Sequence, residues 1–99
     1  SMLVRIVKMS FQEDKIEDFL QNFHTNKSEI RNFDGCVFLE LYQDKNEKNQ
    51  FFTYSYWKSE ADLETYKNSD LFKNVWVITK KLFNKKPEVW SLDKIVSLA

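Results

Sequence analysis

Residues 36–59, CVFLELYQDKNEKNQFFTYSYWKS, contain the clearest secondary-structure signal in the chain. Two runs rich in β-branched and aromatic residues, Cys36–Tyr42 and Gln50–Trp57, flank the charged segment 44–49. Such runs are typical of strands, and a short polar segment between two of them predicts a β-hairpin. With one glycine and one proline among 99 residues, the chain has too few turn-forming residues for many short strands. A few long elements should therefore surround this hairpin.

Upstream of the hairpin, the sequence predicts a strand followed by a helix. Met2–Met9 (MLVRIVKM) is a β-branched run typical of a strand. Ser10 opens the pattern S-F-Q-E, a capping box that predicts a helix start at this serine. The helix should end at the Asp34-Gly35 turn. Its apolar face, on which Lys27 also falls by helical angle, consists of Ile16, Phe19, Leu20, Phe23, Lys27 and Ile30.

Downstream of the hairpin, the sequence predicts a pair of helices and a last strand. Ser59 and Ser69 each stand in a pattern typical of a helix N-terminus, so one helix should begin after each serine. Pro87 should end the second helix, because proline lacks the backbone N–H that a helix needs. Glu88–Val96 (EVWSLDKIV) then forms the final strand. The apolar face of the second helix consists of Leu71, Phe72, Val75, Trp76, Thr79, Leu82 and Phe83.

The order of these elements predicts the fold class. Strand, helix, strand, strand, helix pair and strand form the ferredoxin-like βαββαβ arrangement, an α+β fold with a four-stranded antiparallel sheet. The length of the chain predicts one domain that spans residues 2–99. Ser1, which precedes Met2, is interpreted as the remnant of a removed tag.

The composition excludes several classes of partner. Lysine plus arginine equals aspartate plus glutamate at 15 each, without a long block of one sign, so neither nucleic acid nor a membrane surface is an expected partner. One cysteine and one histidine cannot form a zinc-ligand cluster, so no metal is expected. The apolar runs are too short for a signal sequence or a membrane span, which predicts a cytoplasmic protein.

Both faces of the predicted sheet are rich in apolar residues. Two helical segments can cover one face of four strands, so the other face would expose a large apolar patch in a monomer. The sequence therefore predicts a homodimer that packs through the open sheet face. In the second strand one face carries Val37, Leu39 and Leu41, and the other carries Cys36, Phe38 and Tyr42. In the third strand one face carries Phe51 and Trp57, and the other carries Phe52, Tyr54 and Tyr56.

Two short motifs on this pattern carry a resemblance to a known family. The first is Asp34-Gly35-Cys36, and the second is Trp57-Lys58-Ser59 followed by Leu63, Tyr66, Ser69 and Phe72. The chain resembles, over nearly its whole length, the antibiotic biosynthesis monooxygenase (ABM) domains of the dimeric α/β-barrel superfamily. In that family the first motif tends to be Pro-Gly-Cys. The resemblance implies a homodimer whose sheets pack face to face, with a pocket in each subunit between sheet and helices.

The resemblance also implies a chemistry. Some ABM proteins oxidise phenols, anthrones or quinols with O₂ and without metal or flavin, because an electron-rich substrate anion can itself reduce O₂. The implied function is a cofactor-independent monooxygenase that acts on a small aromatic, phenolic or quinol-type compound. The alternative is a non-catalytic dimeric α/β-barrel protein, either small-ligand-binding or stress-associated. A catalyst needs a proton acceptor, and beyond His24 and the tyrosines the chain offers none that is obvious.

Haem degradation, the activity of another branch of the family, is not expected. Those proteins use a tryptophan, a histidine ten residues later that ligates iron, and an asparagine of the first strand. Here Tyr66 and Trp76 stand at the first two positions, and the first strand contains no asparagine. A haem at this position would therefore lack its axial histidine.

The candidate pocket residues are aromatic: Tyr54, Tyr56, Tyr66, Phe72 and Trp76. Core packing is the alternative for Tyr66, Phe72 and Trp76, and it is the expected role of Trp57. Tyr54 and Tyr56 join Tyr66 and Trp76 around one cavity if their face of the third strand is turned toward the helices; otherwise they lie in the dimer interface. His24 and Tyr66 are the catalytic candidates, although His24 falls at the flank of its helix. Arg5 either extends its charge to the sheet end or contacts an anion.

Overall fold

The computed structural model describes residues 2–99; Ser1, with its interpretation as a tag remnant, lies outside this range. Four strands and three α-helices follow one another within the described residues, together with the 3₁₀ turns Glu13–Lys15 and Lys80–Leu82. The elements in chain order are β1 (Leu3–Ser10), α1 (Ile16–Arg31), β2 (Cys36–Gln43), β3 (Gln50–Trp57), α2 (Glu60–Lys67), α3 (Asp70–Thr79) and β4 (Glu88–Asp93).

The strands form one antiparallel sheet in the order β2-β3-β1-β4. This order and the position of the helices confirm the ferredoxin-like α+β prediction. Strands β2 and β4 are the two edges, so the sheet of a single chain is open and does not close into a barrel. Strand β4 ends at Asp93, three residues before the predicted end at Val96. The prediction that Pro87 ends the last helix is wrong, because α3 already ends at Thr79 and the chain continues as the 3₁₀ turn Lys80–Leu82 into the extended Phe83.

The predicted helix start at Ser10 is wrong. Ser10 is the last residue of β1 and pairs with Gln50, and its carbonyl accepts a hydrogen bond from the Asn84 N–H at 3.0 Å. Phe11, which is fully buried, then bridges to Phe83. Strand pairing and the burial of Phe11 outweigh the local capping signal, and α1 begins only at Ile16.

The two later serine signals are confirmed. The Ser59 hydroxyl accepts a hydrogen bond from the Asp62 N–H at 3.1 Å and caps α2. The Ser69 hydroxyl accepts from the Phe72 N–H at 3.1 Å and caps α3. The predicted turn before β2 is also present, because Gly35 has a φ of 90°, a conformation that favours glycine.

A bulge in β2 corrects the predicted face of Cys36. The pairing passes from Cys36 opposite Trp57 to Phe38 opposite Tyr56, so Val37 is an extra residue. Cys36 therefore lies on the helix-covered face with Trp57, and not on the face of Phe38 as predicted. It is a buried free cysteine, and burial raises the pKa of its thiol.

The core between sheet and helices consists of two clusters, one at each end of the sheet. The first contains Val7, Met9, Phe11, Phe19, Phe23, Phe51 and Leu82. The second contains Ile30, Cys36, Trp57, Leu63 and Tyr66. Helix α1 packs on β2 and α3, and α2 packs on β3. The region between the two clusters is where the packing is incomplete.

Candidate functional site

A cavity of about 140 Å³ lies between the sheet and the helices, bordered by residues of both core clusters. Strand β3 shows why the space exists. On the helix-covered face it carries Phe51 and Trp57 at its ends but the smaller Thr53 and Ser55 between them. The large end residues pack, and the small central ones leave a gap. The lining residues are Arg5, Val7, Met9, Phe19, Phe23, Ile30, Leu39, Thr53, Ser55, Trp57, Tyr66, Phe72, Val75, Trp76, Thr79 and Val89.

Three of the predicted pocket residues border this cavity: Tyr66, Phe72 and Trp76. They form a continuous aromatic wall with Trp57. Tyr66 stacks on Trp57 with ring centroids 4.8 Å apart and meets Phe72 edge-on at 5.2 Å. Phe72 in turn stacks on Trp76 at 5.9 Å. Trp57, predicted to be core, therefore both packs in the core and lines the cavity.

Tyr54 and Tyr56, which the sequence assigned either to the cavity or to the opposite face, do not border the cavity. Side chains alternate along β3, and Thr53, Ser55 and Trp57 are the residues of that strand that face the cavity. Tyr54 and Tyr56 consequently lie on the opposite, open face of the sheet. There they form an aromatic group with Phe38, which stacks on Tyr56 at 4.4 Å.

His24 is also remote from the cavity. Its side chain is exposed on α1, and its Nδ1 lies 3.1 Å from Lys27 Nζ. Lys27 is likewise exposed rather than part of the apolar helix face. The two side chains border a shallow surface groove, so the structure does not bring His24 together with Tyr66.

Among residues 2–99, the titratable side chains that line the cavity are Arg5 and Tyr66. Burial raises the pKa of Tyr66 to about 12, an effect that Cys36 reinforces and the charge of Arg5 opposes. Burial also lowers the pKa of Arg5, while Tyr66 and Glu64 act in the opposite direction. At neutral pH the cavity therefore presents a neutral phenol and a guanidinium cation.

The described part of the chain offers neither a metal cluster nor a membrane span. Residues 2–99 contain no group of three or more His, Cys, Asp and Glu side chains that could hold a metal ion. No helix in the same range is long and apolar enough to cross a membrane.

Sequence reasoning overlooked Thr53 and Ser55 as cavity residues. The signal was present in the alternation of β3. One face carries Phe52, Tyr54 and Tyr56, all large, and the other carries two small hydroxyl residues between bulky ends. Because small residues between large ones leave space, this second face was the better choice for a pocket.

A four-stranded antiparallel sheet that is covered on one face by helices, with an aromatic-walled cavity beneath them, places the chain in the ferredoxin-like class of small α+β domains. Within that class the chain belongs to the antibiotic biosynthesis monooxygenase family, whose sequence model matches residues 2–75. This match confirms the resemblance seen in the sequence. Comparison with curated proteins gives no match.

Solved structures share the fold over almost the whole chain. Rv0793 from Mycobacterium tuberculosis has a TM-score of 0.91 at 16% identity, covering 100% of both chains. A conserved protein from Methanosarcina mazei Go1 has a TM-score of 0.89 at 20% identity, covering 94% of this chain and 92% of the other. An antibiotic biosynthesis monooxygenase has a TM-score of 0.89 at 16% identity, covering 95% and 99%. At such identities the likeness shows the fold.

Proposed function

We propose that the protein is a monooxygenase that oxidises a small phenol or quinol with O₂ in the cavity between sheet and helices. The observation that carries the proposal is the aromatic-walled cavity with the neutral Tyr66 phenol at its wall, in a chain of the ABM family. A cavity of about 150 Å³ in another protein holds benzene. The volume here, about 140 Å³, suits a compound with a single ring.

The proposed reaction needs no further reductant. The ionised phenol donates electrons to O₂, one oxygen atom becomes the carbonyl oxygen at a ring carbon, and the second leaves as water. The ring hydrogen and the phenolic hydrogen supply the two protons of that water, so a phenol and O₂ give a quinone and water. The absence of a cofactor stays a prediction from the sequence.

Three of the cavity residues, Tyr66, Phe72 and Trp76, have a proposed role in this reaction. The Tyr66 hydroxyl keeps its proton at neutral pH, so it donates a hydrogen bond to a substrate oxygen and does not act as the base. Phe72 and Trp76 hold the substrate ring by stacking. The apolar lining excludes water, which strengthens polar contacts inside the cavity.

The test is oxygen consumption measured against a panel of single-ring hydroquinones and phenols. We expect Tyr66→Phe and Trp76→Ala each to lower kcat/KM by about tenfold or more, since each removes an interaction with the substrate. Tyr54→Phe is the matched control, because it removes the same hydroxyl from the opposite face of the sheet, and it should leave turnover unchanged. Turnover that survives both cavity substitutions would remove those residues from the site.

One observation favours a second candidate, a non-catalytic small-ligand-binding protein. Neither Arg5 nor Tyr66, the titratable residues of the cavity lining, is a proton acceptor at neutral pH. Saturable binding of hydroquinones without oxygen consumption would support this candidate over the monooxygenase.

We further infer that the open sheet face packs against a second copy of the chain. The support is the apolar character of that face, where Tyr42, Trp90 and Leu92 are each more than 40% exposed in the single chain. The cytoplasmic location stays a prediction from the composition.

A further inference from the structure

Arg5 is a charged residue without a counter-charge at the edge of an apolar cavity. It lies in the middle of the sheet, on β1, paired with Ser55 of β3 on one side and Ser91 of β4 on the other. Its side chain is partly buried and lines the cavity. Within residues 2–99 its guanidinium donates no hydrogen bond to a protein acceptor and forms no ion pair.

The surrounding carboxylates do not compensate this charge. No Asp or Glu of residues 2–99 lines the cavity. Glu64 influences Arg5 through space, but its carboxylate pairs with Lys67 Nζ at 3.1 Å. The Arg5 guanidinium is thus partly desolvated and has no protein acceptor among residues 2–99, although its nitrogens keep some access to solvent. A ligand oxygen in the cavity would supply the acceptor that these residues do not.

Two further hydrogen-bond donors line the cavity near Arg5: Ser55 is its partner across the sheet, and Tyr66 is close enough for the two side chains to interact electrostatically. The Ser55 hydroxyl accepts a hydrogen bond from Trp57 Nε1 at 3.1 Å, so its own hydrogen is available to a ligand. The Tyr66 hydroxyl has no hydrogen-bond partner in the described chain, and it keeps its proton. The rest of the lining is mostly aliphatic and aromatic. The cavity is therefore apolar with one donor-rich end.

We propose that this end, formed by Arg5, Ser55 and Tyr66, binds the anionic oxygen of a single-ring aromatic compound, a carboxylate or an ionised phenol. A guanidinium and two hydroxyl donors are the groups that recognise such an oxygen, and the volume limits the ring system to one ring. The inference rests on the proposed function in that the ligand is a small aromatic compound. It makes Arg5 the residue that selects the charged form of that ligand.

Binding of a matched pair of probes tests the proposal. Benzoate and benzamide have nearly the same shape, but only benzoate is charged at neutral pH. Trp57 and Trp76 line the cavity, so tryptophan fluorescence reports binding, with titration calorimetry as the second method. We expect benzoate to bind the wild-type protein at least about tenfold more tightly than benzamide, because hydrogen bonds to charged groups are stronger than those between neutral groups.

Three variants assign that preference to Arg5. Arg5→Met should remove the preference for benzoate while benzamide still binds, and Arg5→Lys should restore part of it by keeping the charge. Lys8→Met is the matched control, because Lys8 lies on the same strand but on the other face of the sheet; it should keep the full preference. Should Arg5→Met not fold, Arg5→Gln replaces it.

A second probe separates the two sources of the anionic oxygen. The absorbance of 4-nitrophenol reports its ionisation, and a site that prefers phenolates should lower the pKa of the bound probe in the wild type but not in Arg5→Met. If benzoate is preferred but the pKa of bound 4-nitrophenol is unchanged, the site binds carboxylates. If benzoate is preferred and the pKa of bound 4-nitrophenol also falls, the site binds phenolates as well.

The outcomes that contradict the inference differ from those that contradict the proposed function. Equal binding of benzoate and benzamide, or a preference that survives Arg5→Met, overturns the anion site and leaves an aromatic-binding cavity. A preference that depends on Arg5, without oxygen consumption for any phenol, supports the anion site and overturns the monooxygenase. Failure of both probes to bind overturns the anion site.

Discussion

Tyr66 connects the cavity to the packed core at one end of the sheet. Its ring stacks on Trp57 and meets Phe33 and Phe72 edge-on, at centroid distances of 5.3 and 5.2 Å. Burial among these rings favours the neutral hydroxyl over the phenolate. The same residue therefore contributes to stability and supplies a hydrogen-bond donor to the proposed site.

The buried hydroxyl of Tyr66 predicts a loss of stability in alkali. Its pKa rises from the ordinary tyrosine value of 10.0 to about 12 in the folded chain. Between these values the unfolded chain releases the proton and the folded chain keeps it, so the free energy of unfolding falls as pH rises. We expect a loss of roughly 2 kcal/mol over this range. Urea unfolding at several pH values between 9 and 12 should show a steeper decline for the wild type than for Tyr66→Phe, and parallel curves would contradict the prediction.

The helices show why similar serine patterns have different outcomes. Ser59 and Ser69 cap α2 and α3, where extended residues lead into a helix on the surface. Ser10 lies in a strand that continues into the buried Phe11. Backbone pairing with β3 and burial of an aromatic ring together outweigh one cap, which is worth about 1 kcal/mol.

Removing a true cap should therefore cost more than removing the false one. Ser69→Ala should lower the free energy of unfolding by about 1 kcal/mol, because the Phe72 N–H loses its acceptor. The same substitution also removes the hydrogen bond that the Ser69 hydroxyl donates to the Tyr66 carbonyl at 2.6 Å. Ser10→Ala, which removes no helix cap, should give the smaller loss in chemical denaturation. A larger loss for Ser10→Ala would contradict this account.

At the level of the whole molecule, the sheet has one face covered by helices and one face open. The open face is largely apolar and aromatic along all four strands of the described residues, with Ile6, Phe38, Tyr54 and Trp90 near its middle. A patch of this kind is rarely exposed by a monomer. A second copy related by a two-fold axis would cover it with an identical surface.

Light scattering tests the proposed homodimer. The wild-type protein should have twice the 12.0 kDa mass of one chain. Trp90→Glu places a charge on the open face and should shift the protein toward single chains. Val77→Glu is the matched control, since Val77 is similarly exposed, at 43% against 41% for Trp90, but lies on α3 behind the cavity; it should remain dimeric. A wild-type mass of one chain at micromolar concentration would contradict the proposal.

The order of elements and the family could be predicted from the sequence, because both depend on local patterns. Strand composition, the serine caps of α2 and α3 and the turn glycine Gly35 all act over a few residues. Phe72 and Trp76 were also predicted as pocket residues, because helical spacing places both on one face of the last helix, and Tyr66 was predicted on the preceding helix.

The tertiary structure was needed to decide which face of each strand meets the helices and which residues far apart in the sequence pair with each other. Side chains of a strand alternate with a period of two, so the sequence of β3 defines two faces but not which of them meets the helices. The bulge at Val37 moves Cys36 to the other face, and pairing with β3 extends β1 through Ser10. The cavity and its donor-rich end follow from such long-range pairings, since Arg5 and Ser55 are neighbours only across the sheet. The chain's local patterns thus specify the elements, and packing specifies the site.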